Sequence, residues 1–133
     1  MKTKTQESIE WVINNITKIP SKFWSETENN YIVIWLLDRE DGTAGSCETS
    51  QERLGVTIER EILWGFSSGC SCWEGWSKED YAKTITYKEF VIKDILEIVG
   101  GRYNLKEDSL AFSQGWEEEV IKKVDEIMGD KLI

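Results

Sequence analysis

The sequence predicts an α+β domain, a small, mainly antiparallel sheet of about three to five strands with three helices packed against it. Three observations carry that expectation. Apolar residues recur at helical spacing in one segment near the start and two near the end. Short, β-branched and aromatic runs cluster in the middle. No repeat, low-complexity tract or interdomain linker interrupts the 133 residues, so residues 1–133 are read as one domain.

Thr3-x-x-Gln6 has the form of a capping box, and Ile9, Val12, Ile13 and Ile16 follow it as one apolar stripe. Pro20 is expected to stop this first helix, because the residue before a proline avoids helical geometry. Tyr31 to Leu37 is apolar throughout and reads as a strand covered on both faces. Asp41-Gly42 signals a hairpin, with a short return strand near Thr43 to Cys47 and a polar loop from Ser46 to Arg53. Leu54 to Phe66 reads as further strand, and Ser67 to Trp76, rich in Ser, Gly and Cys, as a loop.

A second capping box, Thr86-x-x-Glu89, precedes the apolar set Val91, Ile92, Ile95, Leu96 and Val99, and Gly100 is a natural helix end. The third helix is expected to start near Ser113. Glu117, Glu118 and Glu119 favour the positive end of its dipole, and Trp116, Val120, Val124, Ile127 and Met128 form its stripe up to Gly129.

Composition narrows the function. The net charge of −9 is spread along the chain, −4 within residues 1–66 and −5 within 67–133. Such a field repels phosphate backbones and disfavours direct nucleic-acid binding, whereas it suits docking on a basic surface or simple solubility. The start of the chain is polar, unlike a signal peptide. The longest apolar run is seven residues against the roughly 20 that span a bilayer. With three cysteines, an odd number, these features point to a cytoplasmic protein without a disulfide framework or membrane partner. There is no histidine, which removes Ser-His-Asp and Cys-His nucleophilic sites and the His-dependent zinc sites. Phosphate-binding glycine motifs are also absent from the sequence.

The unusual segment is Trp64-Gly-Phe-Ser-Ser-Gly-Cys-Ser-Cys-Trp-Glu-Gly-Trp76. A zinc or iron site there would draw on Cys47, Cys70 and Cys72, with Glu48, Glu74 or water as fourth ligand, although a CxC pair is one residue short of the common knuckle. A thiolate nucleophile would need a cationic neighbour, yet no basic residue lies between Arg60 and Lys78. The plainest reading makes the cysteines small loop anchors and needs no cofactor. Trp beside glycine also suits an interface anchor, so Trp64, Phe66, Trp73, Glu74 and Trp76 are the candidate partner-binding residues. Elsewhere, Asp38, Glu40 and Asp41 sit at the predicted hairpin tip, where solvated charge is the ordinary reading and a carboxylate-based enzyme the alternative.

The run Ser68-Gly-Cys-Ser-Cys72 resembles one found in small uncharacterised proteins encoded by phages. In those an apolar strand and a Gly turn precede the run, and an aromatic-acidic patch and a capped helix follow it. Tyr31 to Leu37, Asp41-Gly42, Trp76 to Asp80 and Thr86 to Val99 stand here in that order, over about half the chain. This chain departs from the pattern by the extra strand region from Leu54 to Phe66 and by lacking a proline after the run. The resemblance implies origin and no chemistry. The expectation is a non-enzymatic accessory factor of a phage or mobile element. It would dock on a host protein, one with a basic nucleic-acid-binding surface, and act as a defence-system inhibitor such as an anti-CRISPR.

Overall fold

The computed structural model describes residues 2–26, 31–41, 49–69, 83–86, 92–93, 96 and 115–133. Helix α1 runs from Lys4 to Asn14, and Thr3 caps it by accepting a hydrogen bond from the Gln6 amide at 3.1 Å. It ends well before Pro20. Asn15 is its C-terminal cap: the backbone N–H donates to the Trp11 and Val12 carbonyls, the side-chain amide adds a bond to the Trp11 carbonyl at 2.8 Å, and the backbone leaves helical geometry there. Ile16 instead continues in a 3₁₀ turn, Ile16–Lys18, that keeps it in the core.

Among the described residues five strands form one antiparallel sheet in the order β1-β2-β3-β4-β5: β1 Trp24–Glu26, β2 Ile32–Asp41, β3 Thr49–Thr57, β4 Glu61–Gly69 and β5 Lys83–Thr86. A two-sided β2 is what places Val33 and Ile34, neighbours pointing to opposite faces, both out of contact with water. Beyond Trp35 a bulge shifts the register, so that Trp35 pairs with Gly55 and Leu37 with Leu54.

The sheet corrects two expectations. Residues 49–53, read as polar loop, are the first half of β3, and residues 67–69 extend β4. Their polar side chains do not mark a loop, because the ladder to β2 and β4 satisfies the backbone whatever the side chains are. The run from Leu54 to Phe66 is not one strand. It turns back at Ile58 to Arg60, where the Arg60 amide donates to the Thr57 carbonyl at 2.9 Å and Arg60 takes a left-handed φ of 65°. No glycine or asparagine marks that turn, so turn chemistry could not signal it. Instead Thr57, fully buried, accepts from the Glu61 amide at 3.0 Å and holds the corner. Asp38, Glu40 and Asp41, expected at a hairpin tip, lie on β2 itself, paired in register with Arg53, Gln51 and Ser50, and Asp41 is the last residue of that strand. The expected return strand near residues 43–47 lies outside the described residues.

The C-terminal helix, α2, spans Trp116–Gly129 behind a left-handed Gly115. Trp116, Val120, Val124 and Ile127 are buried, and the helix packs against α1 and β2. Met128, expected in the stripe, is half exposed, because the step from Ile127 carries it about 100° round the helix, past the edge of the buried stripe. Of the second expected helix, Ile92, Lys93 and Leu96 have helical backbone; Ile92 is buried in the core, and the remainder lies outside the described residues.

The main core gathers one face of the sheet (Ile34, Leu36, Leu37, Leu54, Val56, Ile62, Trp64) against both helices and Ile92. A smaller cluster of Val33 and Leu63, with Tyr31 and Trp35 packed on it, occupies the opposite face. The architecture is therefore α+β with an antiparallel sheet. Among the described residues no helix is long and apolar enough to cross a membrane.

Candidate functional site: a cleft between the sheet and the C-terminal helix

The described surface is indented where β1 stops short of β2. Strand β1 pairs with Ile32, Val33 and Ile34, while β2 runs on to Asp41, and α2 crosses nearby. The resulting cleft encloses about 420 Å³, within the range of small-ligand sites. Phe23, Trp24, Leu36 and Leu37 form its apolar lining. Trp24 is held by its indole N–H, which donates to the Ile19 carbonyl at 3.3 Å.

Charges of both signs rim the cleft. Residues 119, 122, 123 and 126 of α2 lie one turn apart on the same helix face and supply Glu119, Lys122, Lys123 and Glu126. Lys22 and Lys123 each place an ammonium 5.3 Å from the centre of the Phe23 ring. Every rim carboxylate has a cation within 4 Å. Asp38 lies 3.3 Å from Arg53, Glu119 lies 3.3 Å from Arg39, and Glu126 lies 3.9 Å from Lys123. Lys22 is bridged to Asp130.

Two arginines link this rim to the interior. Arg39 joins Glu119 of α2 to Glu52 of β3, whose carboxylate is 3.8 Å away and fully buried. A buried carboxylate is tolerated only with such a partner. Arg53 stacks its guanidinium 3.6 Å above the Trp35 ring while Asp38 holds it from the side. The ring can lie flat on the sheet because its cross-strand neighbour is Gly55. A β-carbon there would come within 2.8 Å of the ring and 2.5 Å of Val33.

The sequence pointed elsewhere. Trp64 is only 1% exposed and belongs to the main core, so it presents nothing to a partner. Its place on the inward face of β4, opposite Leu54, is the reason. Phe66 stands on β4 opposite Glu52, with only its backbone position described. Trp73, Glu74, Trp76 and the three cysteines Cys47, Cys70 and Cys72 lie outside the described residues. Among the described residues no cluster of three or more acidic or sulfur side chains is placed to hold a metal. The cleft residues themselves carried no sequence signal beyond the helical spacing of 119, 122, 123 and 126, since β1 and β2 reach it from separate segments.

The chain matches no known family, characterised protein or solved structure.

Proposed function

We propose that this chain is a non-enzymatic, acidic binding protein of a phage or mobile element that works in the host cytoplasm by docking on a host protein. The observation that supports it best is the outward surface of α2. Five carboxylates and two lysines stand on this one helix, and Glu117, Glu118, Asp125 and Glu126 are all exposed. On a molecule of net charge −9, that surface steers and complements a basic patch, such as the nucleic-acid-binding surface of a defence complex. Trp73, Glu74 and Trp76 are proposed as further partner-binding residues on the grounds of their sequence. The reading takes a three-helix complement, with Ile92, Lys93 and Leu96 on the middle helix.

Affinity capture from a phage-susceptible host tests it. A basic protein should co-purify at fixed stoichiometry and be released by about 0.5 M salt, where the Debye length is only a few ångströms. It should be lost when Glu117, Glu118 and Glu126 are all replaced by Lys and be retained by Glu59→Lys in the β3–β4 turn. Recovery unchanged by the triple reversal, or no stoichiometric partner at all, would overturn the proposal.

A further inference from the structure

The structure assigns residues 130–133 a conformational role: they form a latch that holds the C-terminal end of α2 onto the 3₁₀ turns ahead of β1. The need for a latch lies in the helix itself. Three glutamates stand at the positive end of α2, where the dipole favours them. The negative end is mismatched. Its last turn carries Glu126 and no basic residue, Gly129 weakens it further, and the cap Asp130 adds another carboxylate. The cap contributes a single backbone bond, from the Asp130 amide to the Ile127 carbonyl at 3.3 Å. Fraying of α2 is therefore easiest at this end.

Contacts from beyond the helix supply what that turn lacks. Lys131 takes a left-handed φ of 49°, which reverses the chain after α2. Leu132 then packs against the main core, and the Ile133 amide donates to the Lys18 carbonyl of the first 3₁₀ turn. Asp130 is bridged to Lys22 of the second, Ser21–Phe23. These contacts are unequal. The bridge joins side chains 59% and 35% exposed and contributes little. Leu132 and the backbone bond carry the latch, and they hold Lys131 in a conformation that disfavours a β-carbon. Unwinding the last turn displaces the residues that follow it and breaks these contacts, so the latch raises the cost of local opening. It is a property of the free chain and stands whether or not α2 docks on a partner. On the docking reading above, Glu126 sits on the latched turn, and a molecule that captured Leu132 would loosen that part of the docking face.

Amide hydrogen exchange of the full chain tests the latch, under conditions where the rate reports the opening equilibrium. Amides of residues 126–129 should exchange by local opening, with little dependence on urea, whereas amides in the middle of β2 and β3 should follow global unfolding and its steep urea dependence. Leu132→Ala should speed exchange at 126–129 by about tenfold, as loss of a part-buried leucine side chain predicts. Lys131→Gly should slow the same amides by about fivefold, because glycine adopts the left-handed conformation freely. Ile62→Val, in the core of β4 and away from the latch, should speed the sheet amides and leave 126–129 unchanged. That variant separates a local latch from a general loss of stability. Exchange at 126–129 with the same urea dependence as the sheet, no response to Leu132→Ala, or faster exchange in Lys131→Gly would overturn the assignment.

Discussion

Three residues show how closely local geometry is set. Gly55 has no room for a methyl group, since its β-carbon would lie 2.5 Å from Val33 and under 3 Å from Trp35. Gly55→Ala should therefore destabilise the chain by about 1–3 kcal/mol, measured by urea unfolding, as overpacking does elsewhere. Arg60 is the reverse case. It occupies a left-handed conformation, φ 65°, that disfavours residues bearing a β-carbon. Arg60→Gly relieves that strain and should raise stability by about 1 kcal/mol in the same assay; a loss of stability would mean that the arginine side chain contributes to the turn. Trp64 is buried, and among the described residues its indole N–H has no hydrogen-bond partner. Replacing it by Phe removes that desolvated donor along with part of the ring. The loss should stay below about 1.5 kcal/mol, against about 3–5 kcal/mol for Trp64→Ala.

At the scale of elements, the seating of α2 depends on Arg39. Its guanidinium spans β3 and α2 through Glu52 and Glu119, and Glu52 is wholly out of water while Glu119 is half exposed. The two pairs are thus unequal. Arg39→Ala removes a cation from beside the buried Glu52 carboxylate and should cost about 2–4 kcal/mol, whereas Glu119→Ala should cost under about 1 kcal/mol. Replacing Arg39 by Met and Glu52 by Leu together should recover most of the loss, because both buried charges are then removed with their desolvation cost. Thermal unfolding of the four proteins separates these cases. Helices were the elements most legible in the sequence: the Thr3 cap and the 116, 120, 124, 127 stripe reappear in the structure. Strand ends were less so. Residues 49–53 and 67–69 extend β3 and β4 by backbone pairing, and the β3–β4 turn at Arg60 uses a residue with no turn signature.

For the whole molecule, the net charge of −9 acts as a self-repulsion that opposes compaction. Raising sodium chloride from about 10 mM to about 150 mM should lift the melting temperature by a few degrees, because screening of the long-range repulsion outweighs loss from the few surface pairs. A fall in melting temperature would show that the exposed ion pairs, Lys22 with Asp130 and Lys123 with Glu126, dominate the balance. Docking through α2 should weaken steeply with salt.

By itself the sequence determined the fold class, the placement of two helices, the two-sided burial of β2 and the overall field, because these follow from periodicity, caps and composition, all of which are local or additive. It also singled out the segment from Trp64 to Trp76, of which Trp64 proves to be core. Only the tertiary structure decided which face of β4 turns inward, where β3 and β4 reverse, and that Arg39 and Arg53 pair with Glu119 and Asp38 beside a cleft. The reason is physical. Pairing register and side-chain convergence depend on residues far apart in the chain, Asp38 with Arg53 and Arg39 with Glu119, and no local pattern encodes their meeting.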